Sequence, residues 1–233
     1  MAAATRAKTG NQVKNGKVRR FGRWSIVCHW LYAACFLTLL VTGFGLMYDW
    51  LDFLAGAGSR LVHRYAAIGL AIMPLLYLVG SGREALSHIR EAFRWSKDDL
   101  RWLAVAVPYH FTGRPKPPAQ GFLNAGQKLN YLVVITTFVV FVTTGLIMWF
   151  LRPQLTVADQ GVFWWAVMLH SAAAWVAASM FLLHVYQAAL HPFTRASLRG
   201  MIDGYVTLEY ALFEHPKWAQ QFVGQSGSKP ANR

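Results

Sequence analysis

Four histidines stand in stretches of the sequence that carry almost no charge: His29, His63, His170 and His184. A neutral imidazole offers one ring nitrogen as a metal ligand and keeps the other as a hydrogen-bond donor. Ionisable groups are costly in a hydrocarbon phase, and those that persist face the interior of a helix bundle. One such histidine alone is equally well explained by a hydrogen bond to a neighbouring helix. Spacing changes that reading. His170 and His184 are fourteen residues apart. In a helix that is about 21 Å of rise, and it brings the rings to within about 40° of the same face. The run between them, "SAAAWVAAS", leaves room beside that face, although small residues also serve ordinary helix packing.

Rings in such places need helices that can carry them through an apolar phase. The chain has 233 residues, 55% hydrophobic and 15% aromatic, with only 14% charged. It is richer in apolar and poorer in charged residues than ordinary globular domains. Asp, Glu, Lys and Arg are absent from four windows: Ile26–Tyr48, Tyr65–Gly82, Leu129–Leu151 and Gly161–Leu190. Each reaches the roughly 18–20 residues that cross a hydrocarbon core of about 30 Å. Tyr65–Gly82 is the shortest and holds Pro74, which a membrane helix tolerates when neighbours satisfy the freed carbonyl. Gly161–Leu190 must tilt or project, since its 30 residues make about 45 Å of helix. The pattern predicts an all-α integral membrane protein, a bundle of four transmembrane helices over about 26–48, 61–82, 129–151 and 161–190. These form one domain over 23–220, between a basic cytoplasmic tail at 1–22 and a disordered tail at 221–233; the residues through Arg20 also read as disordered.

Four spans leave both termini on one side. Seven of the 23 Lys and Arg precede the first span, eight lie from Arg83 to Lys128, and five follow the fourth. The other face keeps Arg60, Arg64 and Arg152. The positive-inside rule then makes both termini and the 83–128 loop cytoplasmic. Trp24, Trp50, Trp149, Trp164 and Trp165 fall near span ends, where interfacial aromatics gather. The net charge of +13 therefore reads as topology and contact with anionic membrane lipid. Split among three cytoplasmic segments, it argues against a nucleic-acid partner. The first 20 residues are polar and basic, and the apolar run behind them is too long for a cleavable signal. Cys28 and Cys35 are seven residues apart on one span, about 10 Å of rise, so they pack as small apolar groups rather than as a disulfide.

Span direction sorts the four histidines by depth. His29 opens the first span at the cytoplasmic side and His63 opens the second at the other; on the returning fourth span His170 is outer and His184 inner. The pairs are thus His63 with His170 and His29 with His184, each joining two helices. Two imidazoles at one depth suit the axial positions of a b-type haem, one ring above the macrocycle and one below. No C-x-x-C-H occurs, which excludes c-type attachment. Bis-histidine ligation leaves iron no open position and suits electron transfer, so two haem b groups would carry electrons across the membrane. A proton relay usually adds acidic partners, which these spans lack. A haem-free membrane transport or anchor protein is the reading of a different class.

Before the third span stands "GFLNAGQKLNYL", residues 121–132. Asn124, Gln127 and Lys128 there bring amides and an ammonium to the cytoplasmic surface. A simpler reading is a helix start, with Asn124 as N-cap and Lys128 snorkelling to headgroups. These residues, together with "CHW" at 28–30, "LVHRYAAIG" around His63, "LHSAAA" at 169–174, "LLHVYQA" at 182–188, "RGMIDGYV" at 199–206 and "HPKW" at 215–218, resemble the gamma, or cytochrome b, subunit of respiratory formate dehydrogenases. The resemblance runs from about Arg23 to Gln220. The histidine set is shared more widely by four-helix di-haem cytochromes, including the cytochrome b subunits of membrane-bound hydrogenases; "NAGQK" with "GMIDG" is the narrower signal.

The resemblance implies that His29 and His184 ligate a cytoplasmic-side haem, and His63 and His170 a periplasmic-side one. It implies a quinone site at Asn124, Gly126, Gln127 and His184, taking menaquinone or ubiquinone. It also implies an iron–sulfur beta subunit and a molybdenum or tungsten catalytic alpha subunit as partners, in a bacterial inner membrane. The expected function is electron transfer from the periplasmic iron–sulfur partner to quinone, with formate oxidation on another chain. Leu123 stands where an aromatic is expected, and "VTLEYALFEHPKW" carries Glu209 and Glu214 in a stretch expected to be more basic. His88, His110, His191 and His215 lie outside the spans and read as solvated or structural, with His191 a candidate proton donor to quinone.

Overall fold

A computed structural model describes residues 13–48, 56–151 and 156–223. The expected disorder before Val13 and after Val223 lies outside the described residues, as do Trp50 and Arg152. Strands β1 (Val13–Lys14) and β2 (Lys17–Arg19) precede the helices α1 (Arg23–Met47), α2 (Ala57–Ser81), α3 (Arg83–Phe93), α4 (Lys97–Thr112), α5 (Ala125–Leu151) and α6 (Val157–Val185). A π turn over Tyr186–Leu190 and a 3-10 turn over Arg195–Met201 lead to β3 (Tyr205–Thr207), α7 (Leu208–Glu214) and α8 (Pro216–Ala219).

Helices α1, α2, α5 and α6 are the four expected spans, and their lengths follow from the charge-free windows. Each is long and apolar enough to cross a membrane, yet only 6–17% of their most apolar windows is buried within the protein. Val79 is 85% exposed, Leu182 68% and Phe150 67%. Apolar surface on this scale needs a lipid solvent. The chain is a multi-pass membrane protein. Pro74 sits inside α2 without ending it. Helix α5 begins four residues before the predicted 129, because Asn124 caps it.

The chain divides into two compact units. One comprises Val27–Gly82 and Asn130–Val185 and holds the apolar helix bundle. The other gathers the described parts of Met1–Ile26, Arg83–Leu129 and Tyr186–Arg233. In this second unit β1, β2 and β3 form a three-stranded antiparallel sheet in that order. Its hairpin turns at Asn15 and Gly16, with φ of 51° and 70°, the left-handed pair that a two-residue turn favours. The sheet covers a small core of Val18, Val206, Tyr210, Ala211, Ala219 and Phe222.

Two expectations are corrected here. The segment before Arg20 is not structureless from Val13 onward, because Asn-Gly closes a hairpin that β3 extends. The ordered chain runs past 220, because Phe222 is 1% exposed in that core.

Candidate haem-binding sites and the start of α5

Within the helix bundle the four histidines meet in the pairs that depth assigns. The His29 and His184 ring centroids are 6.2 Å apart, and those of His63 and His170 are 6.4 Å apart. A metal bound at about 2 Å to one nitrogen of each ring sets imidazole centroids roughly 6 Å apart. Both pairs therefore have the spacing of two imidazoles that would hold one metal ion between them. Among the described residues no group of three or more His, Cys, Asp or Glu forms a metal site. His184 is exposed and the other three rings are half-buried.

Small side chains flank the rings. On α6, Ala166, Ala173 and Ala177 are at most 9% exposed and lie on the helix face that carries His170 and His184. Trp175 and Val176, each 51% exposed, point away from it. On α1, a Cβ at Gly43 would stand 3.3 Å from His63 Cε1; on α5, one at Gly145 would stand 3.9 Å from His170 Cε1. Gly69 clears the Cys35 thiol, with 3.1 Å to Sγ. Phe44 packs its ring 4.8 Å from Trp175 and Phe36 lies 5.5 Å from Phe181, joining α1 to α6.

Two hydroxyls that sequence reasoning missed complete the His63/His170 pair. Thr42 Oγ1 lies 2.8 Å from His63 Nδ1, and Thr144 Oγ1 lies 2.8 Å from His170 Nδ1. Thr42 and Thr144 are 6% and 4% exposed. A signal was available, since each threonine precedes one of the glycines just named: Thr42–Gly43 and Thr144–Gly145.

In the second unit, the start of α5 is a reciprocal cap. Gln127 N–H donates to Asn124 Oδ1 at 2.9 Å, and Asn124 N–H donates to Gln127 Oε1 at 3.1 Å. This is the arrangement of a capping box with amide side chains. Ala125 N–H donates to Gln120 Oε1 at 3.0 Å. Arg20 Nη2 donates to Phe122 O at 2.8 Å and to Gln127 Oε1 at 3.4 Å, while its guanidinium lies over the rings of Phe21, Phe122 and Trp218. The carbonyl oxygens of both amides are thus used by the fold, and their NH2 groups have no partner among the described residues. Gly126 makes way for an indole: a Cβ there would lie 3.1 Å from Trp102 Cη2.

Lys128 does not snorkel to headgroups. It is 5% exposed, donates to Arg94 O at 2.8 Å, and pairs with Asp99 at 3.0 Å. Asp99 also closes the capping box of α4 with Ser96. Burial pushes the Asp99 carboxyl up, but hydrogen bonds from Ser96 and Lys128 outweigh it and hold the group below the usual carboxylate range.

Apart from half-buried His110, the outlying histidines are buried rather than solvated. His88, His191 and His215 are 5%, 2% and 0% exposed. His88 stacks on Phe122 with centroids 4.7 Å apart. His215 Nδ1 bonds Gly121 O at 2.9 Å. His191 lies edge-on to His110 at 4.8 Å, and its Nδ1 has no partner among the described residues.

The profile of the family described as prokaryotic cytochrome b561 matches residues 20–204, which contain all four intramembrane histidines. The chain belongs to the prokaryotic cytochrome b561 family. This cytochrome b561 chain is similar to the formate dehydrogenase cytochrome b556 subunit of Haemophilus influenzae, 27% identical over 84% of this chain and 80% of the relative. It is 26% identical to the nitrate-inducible formate dehydrogenase cytochrome b556(Fdn) subunit of Escherichia coli K12, over 87% of this chain and 90% of that one. A second subunit of the same organism, formate dehydrogenase cytochrome b556(fdo), is 27% identical over 83% and 87%.

Proposed function

We propose that this chain is the membrane di-haem cytochrome b subunit of a formate dehydrogenase, passing electrons from a periplasmic iron–sulfur subunit through two haem b groups to quinone. The observation that carries the reading is the pair of facing imidazole couples, at 6.2 and 6.4 Å, in a chain similar along most of its length to formate dehydrogenase cytochrome b556 subunits. His63 and His170 would hold the periplasmic-side haem, and His29 and His184 the cytoplasmic-side one. Bound there, each haem supplies a one-electron couple. The chain's own residues orient the rings, clear space beside them and exclude water with the apolar faces of α1, α2, α5 and α6.

Asn124, Gly126 and Gln127 are the proposed quinone-binding residues, and the resemblance to formate dehydrogenase cytochrome b subunits adds His184. The support is chemical: quinone carbonyls accept hydrogen bonds, and the NH2 groups of Asn124 and Gln127 are donors that the fold leaves unused. Menaquinone or ubiquinone fits the same requirement. Protons for the reduced quinone would come from the cytoplasmic side, with His191 as a candidate carrier. Formate oxidation would lie on a molybdenum or tungsten alpha subunit, reached through the iron–sulfur beta subunit. Both termini would be cytoplasmic, in a bacterial inner membrane.

A reduced-minus-oxidised spectrum of the purified protein, with a pyridine haemochrome count, tests the reading. Two b-type haems per chain are expected, and one in His170→Ala. Well-folded protein without b-type haem would overturn it. Co-purification with a nickel–iron subunit rather than a molybdenum or tungsten one would move the chain to a hydrogenase.

A further inference from the structure

A threonine hydroxyl owns one proton, and at the His63/His170 pair its destination is fixed. Thr42 Oγ1 donates to Thr38 O at 2.6 Å, and Thr144 Oγ1 donates to Val140 O at 2.6 Å. Were either proton turned toward the imidazole, two oxygens would face each other at 2.6 Å with nothing between them. Each hydroxyl therefore meets its histidine as an acceptor, and the proton of that 2.8 Å contact belongs to Nδ1. Nε2 of His63 and of His170 is left bare, with its lone pair free for a metal. Among the described residues His29 and His184 have no hydrogen-bond partner on either nitrogen. The two pairs thus share ring spacing and differ in what stands behind the rings.

We propose that Thr42 and Thr144 are positioning residues that lock the Nδ1–H tautomer of His63 and His170 and make these rings the stronger donors, so that the haem of this pair has the lower potential of the two. The inference rests on the haem reading above. An N–H bonded to an acceptor leaves more electron density on the ligating nitrogen, which favours the ferric state. Each hydrogen bond runs on through the hydroxyl to a backbone carbonyl, and such chains reinforce themselves in a buried setting. The glycine after Thr42 belongs to the same device, since a Cβ at Gly43 would press on the His63 Cε1 edge at 3.3 Å, whereas one at Gly145 would only reach ordinary contact distance from His170. With haem bound at both pairs, a lower potential at His63/His170 would make electron flow toward His29/His184 downhill.

The test is potentiometric titration of the b-haem absorbance in the full chain, with ferric low-temperature electron paramagnetic resonance alongside. The component missing from His170→Ala identifies the His63/His170 haem. In Thr42→Val and Thr144→Val the haem count should stay at two while that component's midpoint rises. Second-sphere partners of metal-bound histidine are commonly worth tenfold or more. A tenfold change in the ferric-to-ferrous ratio is a rise of about 59 mV for one electron. Its ferric signal should shift, the other component should hold still, and Thr→Ser at either position should restore both. Thr→Ala is the second probe should valine crowd the ring, and it must move the midpoint in the same direction. Unmoved midpoints with two haems present overturn this inference alone, as does an equal shift of both components. Haem-free wild-type protein overturns the functional reading with it.

Discussion

A half-buried acid and a buried base beside one arginine give the second unit a readable pH response. Burial pushes Glu214 up to about 7, with the Arg20 guanidinium pulling it down. The folded state then holds this proton more tightly than the unfolded chain. The contribution to stability is full below about 4.5 and is lost as pH rises through about 7. His215 runs the other way. Burial, then Arg20, hold its ring well below 6.5 against the Gly121 carbonyl, so its contribution is full above 6.5 and is lost as pH falls. Between 4.5 and 6.5 the two oppose each other, and above 6.5 only Glu214 still titrates. Glu214→Gln is therefore expected to flatten the loss of thermal stability between about pH 6.5 and 7.5. The full Glu214 contribution is at most about 3 kcal/mol. An unchanged slope in melting curves followed by tryptophan fluorescence would refute it. None of this was legible in the sequence, which brings out the four intramembrane histidines because a polar residue stands out in an apolar run. Glu214 and His215 sit in a mixed stretch, and only the fold half-buries the one and buries the other. Thr42 and Thr144 were hidden for a related reason: threonine is unremarkable in a membrane helix until its partner ring is known.

At the scale of elements, the long helices were legible and the joints were not. Twenty or more residues without charge is a signal that survives any local ambiguity. The start of α5 was partly legible, since Asn124 as N-cap is a local feature, although its exchange with Gln127 needs the side chains in place. The Lys128–Asp99 pair was not legible, because its partners lie 29 residues apart and belong to different helices. Removing one member of a buried pair costs about 3–5 kcal/mol where the other charge is left without compensation; Glu91 Oε1, 3.9 Å from Lys128 Nζ, places this pair at the lower end of that range. Asp99→Ala is expected to destabilise the protein on that scale, which includes the lost cap of α4. Asp99→Ala with Lys128→Met should lose clearly less than the sum of the single changes in chemical unfolding. Additive losses would mean that the pair is not coupled. The β1–β2 hairpin teaches a related lesson: its Asn15–Gly16 signal lay in view, but a basic flank made the segment read as tail.

For the whole molecule, topology is the property most directly fixed by charge. Twenty Lys and Arg against three should hold both termini in the cytoplasm. A C-terminal green fluorescent protein fusion should be bright in cells and the matching alkaline phosphatase fusion silent; the reverse pattern would invert the proposed direction of electron flow. The bundle was legible at this scale because lipid permits few architectures. The division into two compact units was not, since its second unit is assembled from three separate stretches of chain. One consequence follows from α6 alone, which carries a ring of each pair on a single rigid rod. A residue inserted between Ser171 and Leu183 would swing His184 through about 100°, away from its partner on α1. Four inserted residues would bring it back to within about 40° of its bearing and lengthen the interval by about 6 Å. The interval between the two sites therefore behaves like a notched ruler. It changes by about a helical turn or not at all, and small insertions or deletions in α6 are expected to be intolerable where those in the loops are not.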